Sequence, residues 1–155
     1  AYGDVDEAQA AIGWARSQVE RGSDIDRILV HILRDLWVLM AELATLPENR
    51  DKLEIGVSLV TGAMVEDLDK YIDTTSEKFS APKEFVLPGQ NPTAAALDIA
   101  RTVVRRAERS TLKIQEESSF AGPYLNRLSD LMWVLARWQD QGSLPAREIE
   151  IDTEV

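Results

Sequence analysis

Arginine is concentrated on one predicted helix of a chain that is acidic overall. Residues 96–109, ALDIARTVVRRAER, place one polar stripe on a single helix face, made of Asp98, Arg101, Arg105, Glu108 and Arg109. Arg101 and Arg105 are like charges four residues apart, which destabilises an isolated helix. Arginine without lysine suits two-pronged binding of carboxylate or phosphate groups. The stripe therefore predicts a bound anion or a facing carboxylate, with a solvated face of i,i+3 and i,i+4 ion pairs as the alternative.

Several residues outside this stripe have side chains that could also take part in chemistry. Asn126, in YLNRLSDL, shares a helix face with Asp130, and the alternative is a surface residue bonded locally near the helix start. Phe85 lies at the mouth of a long loop, and its spacing alone favours a plug that seals one end of the core. His31 is the single histidine and is interpreted as a half-buried structural residue. Four tryptophans at helical positions are interpreted as core or subunit-contact residues: Trp14, Trp37, Trp133 and Trp138.

The composition excludes several classes of function. The 155 residues are 45% hydrophobic and 28% charged, which fits one globular domain with its own core. The net charge of −10 argues against a nucleic-acid partner, because such binding needs a basic face. Without cysteine, and with one histidine, no thiolate or multi-histidine metal site can form, so we predict no metal held by protein ligands. No apolar run approaches the ~20 residues of a membrane span, and we expect a cytoplasmic protein without a membrane partner.

The hydrophobic pattern predicts an all-α fold, an antiparallel bundle of five helices in a single domain, residues 1–155. Apolar residues recur every three or four positions along each predicted helix, as in Val5, Ala8, Ile12, Ala15 and Val19. Residues 47–60 are expected to be extended or irregular, residues 76–93 form a long loop, and the acidic tail from about 145 to 155 is expected to fray.

Capping and breaking residues give approximate ends for the five helices. The first helix is predicted to begin with an Asp4–Glu7 capping box and to stop at Gly22-Ser23, and the second to be capped by Ser23 or Asp24, with Pro47 beyond its end. The third is predicted from about Thr61 to Thr75, and the fourth from a Thr93 cap to about Gln115. The fifth is predicted from Tyr124 to Gln139, after a break at Gly122-Pro123.

Three blocks of the sequence are FVLPG, AAALDIARTVVRRAER and YLNRLSDLMWVLAR, and two helical segments are AYGDVDEAQAAIGWA and HILRDLWVLMAELA. Together they resemble the propanediol-utilisation type of ATP:cob(I)alamin adenosyltransferase over nearly the whole chain. The resemblance implies a five-helix bundle that assembles as a homotrimer with active sites between subunits. It also implies transfer of the 5′-deoxyadenosyl group of ATP, accompanied by Mg²⁺, to the cobalt of reduced cobalamin, with release of triphosphate.

The resemblance assigns roles in nucleotide binding to two of the blocks. Arg105, Arg106, Glu108 and Arg109 match the RRAER block that meets ATP, and Asn126 matches an asparagine that contacts the nucleotide. Guanidinium groups can stabilise the charge that develops on a leaving triphosphate, so we expect Arg105 to be catalytic.

Three further roles concern the corrin ring and the subunit interface. Phe85 matches the aromatic residue that occupies the lower face of the corrin and displaces the axial ligand, which makes it the second expected catalytic residue. Arg101 matches an arginine that pairs with an aspartate of a neighbouring subunit, and Asp6 matches that aspartate. A partnership with an adenosylcobalamin-dependent enzyme, to receive the product, is left open.

Three departures from the family favour an alternative of a different class. A segment of the form TKTGDxGxT, which precedes the first helix in the family, is not part of this sequence, which opens at Ala1. Gln90 stands where the family usually has Gly, and Asp98 stands where it usually has His. The alternative is a non-catalytic trimeric relative that binds a corrinoid or a nucleotide. A helical scaffold without a ligand is a third possibility, and the Arg105–Glu108–Asn126 set disfavours it.

Overall fold

Five α-helices make up most of the chain in a computed structural model that describes residues 1–148. They are α1 (Tyr2–Ser17), α2 (Asp24–Ala44), α3 (Gly62–Ser76), α4 (Pro92–Thr111) and α5 (Ala121–Gln139). Two short 3₁₀ segments cover Pro47–Lys52 and Ala146–Glu148. Since residues 1–148 contain isolated β-bridges but no strand, the all-α prediction is confirmed. No described helix combines the length and the apolarity needed to cross a membrane.

The helices run antiparallel, as predicted. Hydrogen bonds and ion pairs join the start of one helix to the end of a neighbour in four places: Asp4 with Ser110, Asp26 with Arg16, Asn91 with Gln139, and Asp24 with Lys78. α1 packs against α2 and α4, and α5 packs against α3 and α4. Because α4 lies between α1 and α5, its two flanks are covered and its third face is left for the polar stripe.

The core follows the predicted apolar stripes. On α4, Leu97, Ala100, Val104 and Ala107 are completely buried. They face the equally buried stripe of α1, whose members are Val5, Ala8, Ile12 and Ala15. Alanine on both helices permits close approach of the two backbones, and hydrophobic burial of this kind contributes about 25 cal/mol per Å². The core therefore fixes the polar stripe of α4 in place.

Two predicted ends of α1 are wrong for a physical reason. The Asp4–Glu7 capping box does not form, because α1 begins at Tyr2 and Ala1 is its N-cap without a side-chain bond. Asp4 instead accepts a hydrogen bond of 2.7 Å from the hydroxyl of Ser110 on α4. The helix ends at Ser17, before the predicted Gly22-Ser23 stop.

Side chains and backbone atoms near Asp26 hold the turn between α1 and α2. Ser23 caps α2, as predicted, by accepting a hydrogen bond from the backbone N–H of Asp26. The Asp26 carboxylate accepts in turn from Arg16 at 2.7 Å and from the Gly22 N–H at 2.9 Å. These backbone and side-chain hydrogen bonds lower the pKa of Asp26.

The predicted ends of α4 and α5 also need correction. Asn91, not Thr93, caps α4: its side-chain oxygen accepts from the Ala94 N–H at 2.9 Å, and α4 stops at Thr111 rather than at about Gln115. Gly122-Pro123 does not break the chain, because both residues lie in the first turn of α5. Proline is tolerated there since the first-turn N–H groups have no partner within the helix.

Glu42 of α2 organises the connections at the opposite end of the bundle from the Asn91 cap. Its carboxylate is completely buried and accepts from the Val60 N–H at 2.8 Å and from the hydroxyl of Ser119. Arg50 lies 3.4 Å from the same carboxylate. Residues 47–60 are irregular, one of the two predicted alternatives, and not extended. They begin with the 3₁₀ segment Pro47–Lys52 and continue as turns.

Part of the predicted frayed tail is ordered. Pro145 forms an isolated antiparallel bridge with Val86 of the long loop, and Ala146–Glu148 is a 3₁₀ turn. The rest of the tail, residues 149–155, lies outside the described residues.

Candidate active site

Glu108 joins the arginine stripe of α4 to the first turns of α5. Its carboxylate accepts from Arg105 Nη1 at 2.6 Å and from Asn126 Nδ2 at 2.8 Å. The Glu108 side chain is only 8% exposed, whereas that of Arg105 is 44% exposed. The structure thus brings together three of the residues singled out from the sequence.

This arrangement leaves hydrogen-bonding groups free for a ligand. A guanidinium carries five N–H donors, and Glu108 occupies the nitrogen of one branch of Arg105. Asn126 donates to Glu108 through its amide nitrogen, which orients its amide oxygen away from that carboxylate. A fixed, half-exposed guanidinium beside a fixed amide can bind an anionic, hydrogen-bonding ligand such as a nucleotide.

Arg106 and Arg109 lie apart from this junction. Arg106 forms an ion pair with Glu7 and lies 3.9 Å from Asp4, both on α1, and the hydrogen bond to Glu7 raises the pKa of Arg106. Arg109 lies in the last turn of α4 and is exposed. In a single chain, therefore, Arg106 stabilises the contact between α1 and α4, and Arg109 remains accessible.

Asp98 contacts two arginines, about two helical turns before the junction. Its carboxylate lies 3.5 Å from Arg101 Nε, and it accepts from Arg137 Nη2 on α5 at 2.6 Å. Asp98, which stands where the family usually has His, is thus within reach of Arg101 of its own chain. Asp6, the residue predicted to pair with Arg101 across a subunit interface, is exposed on α1.

A cavity of about 790 Å³ opens next to Asp98 and Arg101. Its walls are the loop around Phe85, the polar stripe of α4, Trp133 and Arg137 of α5, and the segment at Ala146. Phe85 is 91% exposed, so the interpretation of this residue as a core plug is wrong. It presents an apolar ring at the cavity instead.

The backbone beside Phe85 is paired with the segment that follows α5. Ala146 N–H donates to the Phe85 carbonyl at 2.8 Å, and Leu87 N–H donates to the Leu144 carbonyl at 2.9 Å. Two such bonds on either side of Val86 fix this part of a long loop, although the ring of Phe85 is almost fully exposed.

Pattern reasoning missed the contribution of α5 to the cavity. Trp133 and Arg137 lie four residues apart, so they share a helix face, and the guanidinium carbon of Arg137 lies 5.9 Å from the centre of the Trp133 ring. The four-residue spacing of Trp133 and Arg137 was the feature of the sequence that could have indicated this shared face. Trp14 and Trp37 are 49% and 70% exposed, so neither is a core residue of the single chain, and Trp138 is partly buried against the core.

His31 belongs to a separate polar network between α2, α3 and α5. Its Nδ1 lies 2.6 Å from the Tyr71 hydroxyl, and its Nε2 lies 3.7 Å from the Asp35 carboxylate. Tyr124 donates to the same carboxylate at 3.0 Å. Burial is the main cause that raises the pKa values of Asp35 and Tyr124. The half-buried structural histidine predicted from the sequence is confirmed.

Comparison with known proteins places these features in one family. Residues 1–139 match the family described as cobalamin adenosyltransferase. A corrinoid adenosyltransferase of Mycobacterium leprae is 36% identical over 149 residues, 92% of this chain and 78% of that protein. A cobalamin adenosyltransferase of Cupriavidus metallidurans is 38% identical over 140 residues, 88% of this chain and 71% of that protein.

A solved structure is similar in fold as well. It is that of a phenylalanine-to-alanine variant of the PduO-type ATP:corrinoid adenosyltransferase from Lactobacillus reuteri, complexed with cobalamin and ATP. The TM-score is 0.81 at 27% identity, and the match covers 94% of this chain and 83% of the other. On the family match, the identities and this likeness, the chain belongs to the cobalamin adenosyltransferase family.

Proposed function

We propose that the Arg105–Glu108–Asn126 junction and the cavity beside Phe85 are the two halves of one active site. The chain is a corrinoid adenosyltransferase, which transfers the 5′-deoxyadenosyl group of ATP to the cobalt of a reduced corrinoid and releases triphosphate. The observation that supports this placement is the continuity of α4. Asp98 and Arg101 line the cavity, and Arg105 and Glu108 form the junction within the next two turns of the same face.

The reaction needs little covalent chemistry from the protein. Cob(I)alamin attacks C5′ of ATP, a cobalt–carbon bond forms, and the bond between C5′ and the phosphate oxygen breaks. Cobalt passes from the +1 to the +3 state, and triphosphate leaves with the electron pair of the broken bond. What the protein supplies is position and charge: it holds C5′ in line with the cobalt and stabilises the leaving group.

The nucleotide roles follow from charge and exposure. Arg105 binds the phosphates and is held for this task by Glu108. Asn126 contacts the nucleotide through the face of its amide that Glu108 does not occupy. Arg109, exposed in the last turn of α4, adds a second cation, and Arg106 contributes from its place beside Glu7.

Phe85 acts on the corrin. An exposed aromatic ring at the cavity can occupy the lower face of the macrocycle and exclude both the axial ligand and water. Cobalt without an axial ligand is easier to reduce from the +2 state. Phe85 and Arg105 are thus the proposed catalytic residues, one for each half of the site.

Magnesium would accompany ATP. Among residues 1–148 no three His, Cys, Asp or Glu side chains are close enough to hold a metal ion. The ion would therefore be bound chiefly by phosphate oxygens and water, as is usual for Mg²⁺ with nucleotides. Its contribution when bound is to neutralise charge on the leaving triphosphate, alongside Arg105.

The assembly is proposed to be a homotrimer with the active sites at its interfaces. Asp6 and Arg101 are both accessible in the single chain, which a salt bridge between subunits requires. In such an assembly Arg101 would bridge Asp98 of its own chain and Asp6 of a neighbour.

The second candidate is a relative that binds a corrinoid or nucleotide without catalysis. The observation that favours it is that three of the four arginines of α4 are already paired with carboxylates within the chain: Arg101 with Asp98, Arg105 with Glu108 and Arg106 with Glu7. An arginine that is paired with a carboxylate of its own chain is less available to bind triphosphate and to stabilise the negative charge that develops on it.

An anaerobic assay separates the two candidates. The purified protein is mixed with ATP, Mg²⁺ and chemically reduced cob(I)alamin, and formation of adenosylcobalamin is followed by absorbance. Catalytic turnover supports the enzyme. Binding of both ligands in equilibrium dialysis, without turnover, supports the non-catalytic relative.

A further inference from the structure

A buried chain of charged groups lies under the floor of the cavity. Arg137 donates from Nη2 to Asp98 at 2.6 Å and from Nε to Asp140 at 2.7 Å. The side chain of Arg137 is 3% exposed and that of Asp140 is completely buried. One guanidinium thus ties α4 to the C-terminal end of α5, with Asp140 completely buried and Asp98 11% exposed.

The series of polar contacts continues from Asp140 into the turn that follows α5. Asp140 Oδ2 accepts a second hydrogen bond, from the hydroxyl of Ser143 at 2.9 Å. Between these residues the backbone adopts two left-handed conformations, at Gln141 with φ 53° and at Gly142 with φ 129°. A tight turn with left-handed residues needs support from neighbouring groups, and the Asp140 carboxylate provides it.

The turn leads directly into residues 144–146, whose backbone pairs with the backbone at Phe85 and Leu87. Leu144 and Ala146 follow Ser143 directly and form the backbone hydrogen bonds to Leu87 and Phe85 described above. Phe85 is 91% exposed, so packing against the core contributes almost nothing to its position. Its place at the cavity is therefore set through the backbone, and the segment 144–146 sets the backbone.

We propose that Arg137 and Asp140 are positioning residues for Phe85. The path runs from Asp98 through Arg137, Asp140 and Ser143 to the backbone pair that fixes the loop at Phe85. The inference rests on the proposed function, because it takes Phe85 to be the residue that displaces the axial ligand. A guanidinium shared by two buried carboxylates suits this task, since its planar fork fixes both angles and distances.

The chemical consequence concerns the oxidation state of the substrate. Reaction from cob(II)alamin needs one electron from an added reductant, such as a reduced flavin, before cobalt can attack C5′. Phe85 assists that reduction by displacing the axial ligand, whereas cob(I)alamin has no need of it. Loosening the loop should therefore slow the reaction from cob(II)alamin more than the reaction from cob(I)alamin.

The test compares three variants of increasing severity, Ser143→Ala, Asp140→Asn and Arg137→Lys, by the ratio of the two rates. Ser143→Ala removes a single hydrogen bond and leaves the ion pairs intact. Phe85→Ala is the benchmark for complete loss of the effect. We expect the ratio of the cob(II)alamin rate to the cob(I)alamin rate to fall by about twofold to tenfold in the three variants, as for the loss of one hydrogen bond of about 0.5–1.5 kcal/mol. The fall in Phe85→Ala should be larger.

Arg50→Lys is the matched control. Arg50 also joins two carboxylates, Glu42 at 3.4 Å and Glu116 at 2.8 Å, and it lies among the connections at the other end of the bundle. General destabilisation would reduce both rates together and leave their ratio unchanged, as expected for this control.

Amide hydrogen exchange gives a readout that does not depend on activity. The N–H groups of Leu87 and Ala146 should exchange faster in the Asp140→Asn and Ser143→Ala proteins, while amides in the middle of α2 do not change. Unchanged protection at these two amides, or an unchanged rate ratio where Phe85→Ala lowers it, overturns the positioning role. An unchanged ratio in Phe85→Ala itself overturns the axial-ligand role of Phe85, and the inference with it. Lack of turnover with either substrate overturns the proposed function instead.

Discussion

Two arginine–carboxylate clusters, one on α4 and one between α4 and the end of α5, differ mainly in the access of their arginines to water. In the first, Arg105 is 44% exposed and binds a nearly buried Glu108. In the second, Arg137 is 3% exposed and lies between the carboxylates of Asp98 and Asp140. The first cluster retains free donors at an accessible guanidinium, whereas the second directs its donors inward. The same residue types can therefore serve a ligand in one place and fix the backbone in the other.

The difference follows from the free energy of desolvation. Removing charges from water costs several kcal/mol per ion, and the mutual attraction offsets this only where the geometry and the remaining hydrogen bonds are good. Arg137 has two charged partners at 2.6 and 2.7 Å, although the second oxygen of Asp140, Oδ1, is buried without a hydrogen-bond partner among residues 1–148. Arg105 has one, so it can bind an anion without first breaking a complete network. Exposure together with the number of partners thus separates a binding arginine from a structural one.

The largest expected effect is on stability, from Arg137→Ala. This change leaves Asp98 and Asp140 buried without their shared cation, and breaking a buried pair in this way costs about 3–5 kcal/mol. Arg105→Ala should cost less, about 1 kcal/mol, because Arg105 is half exposed and Glu108 keeps its hydrogen bond from Asn126. Urea denaturation of the two variants and the wild-type protein measures both values. Equal losses in the two variants would remove the distinction between the clusters.

The second prediction reverses the ranking for activity. Arg105→Ala should lower kcat/KM for ATP by about 10²–10³-fold, the usual effect of removing one donor that stabilises developing charge. Steady-state assays with excess cob(I)alamin measure this value.

Arg127→Ala is the control for that experiment. Arg127 is similarly exposed, at 43%, and pairs with Asp69 and Asp130 on the surface of α3 and α5. Its removal should change kcat/KM little. If Arg105→Ala retained wild-type affinity and rate for ATP, the first cluster would be structural after all.

The sequence predicts the first cluster better than the second because their contacts differ in range. Arg105 and Glu108 are three residues apart, so helical periodicity alone places them together on one face of α4. The ion pair of Asp98 with Arg137 joins residues 39 positions apart, and no local pattern reports it. Periodicity also identified the five helices and their buried faces, because the spacing of apolar residues is a local property.

Helix ends and loop contacts were harder to predict for related reasons. Asn91 and Thr93 are both good capping residues on either side of Pro92, and only the contacts of each side chain decide between them: Asn91 binds Gln139, and Thr93 binds Gln18. The exposure of Phe85 depends on pairing with the segment that follows α5. Such choices are made by tertiary contacts, which local propensity does not contain.

The third prediction concerns Arg101, which lies between the two clusters on α4. If Arg101 bridges Asp98 and the Asp6 of a neighbouring subunit, then Asp6→Ala and Arg101→Ala should both weaken a trimer. The effect should be about 1 kcal/mol or less for each contact, because Arg101 is 37% exposed. Sedimentation over a range of concentrations should show dissociation of the variants at higher protein concentration than for the wild type. Identical mass distributions for wild type and both variants would contradict the pairing.

The smallest expected effect comes from a buried carboxylate that has no arginine. Asp35 accepts from Tyr124 at 3.0 Å and lies 3.7 Å from His31, but burial is the dominant influence and raises the pKa of Asp35. Nearby charges and polar groups that also act on this carboxylate include Asp67, which raises its pKa, and Arg34, which lowers it. Asp35 thus shows what burial does to an acid without the cation that Asp98 and Asp140 share.

The sign of the resulting pH dependence is opposite to that of a salt-bridged acid. Between the ordinary value of 3.8 and the raised pKa of folded Asp35, the folded state binds more protons than the unfolded state. The contribution of Asp35 to the free energy of unfolding therefore falls as pH rises through this window. Asp35→Asn keeps an acceptor for Tyr124 without a titratable group, so it should remove that fall and gain stability at neutral pH relative to the wild type, by less than about 1 kcal/mol.

Urea midpoints from pH 4 to 7 measure this difference. Asp73→Asn, an exposed change on α3, should leave the pH dependence unaltered. If Asp35→Asn lost stability at every pH, the charged carboxylate would be held as well by Tyr124 and His31 as Asp98 and Asp140 are held by Arg137. Burial would then not be the dominant influence on Asp35, and a buried acid in this core would be stable without an arginine partner.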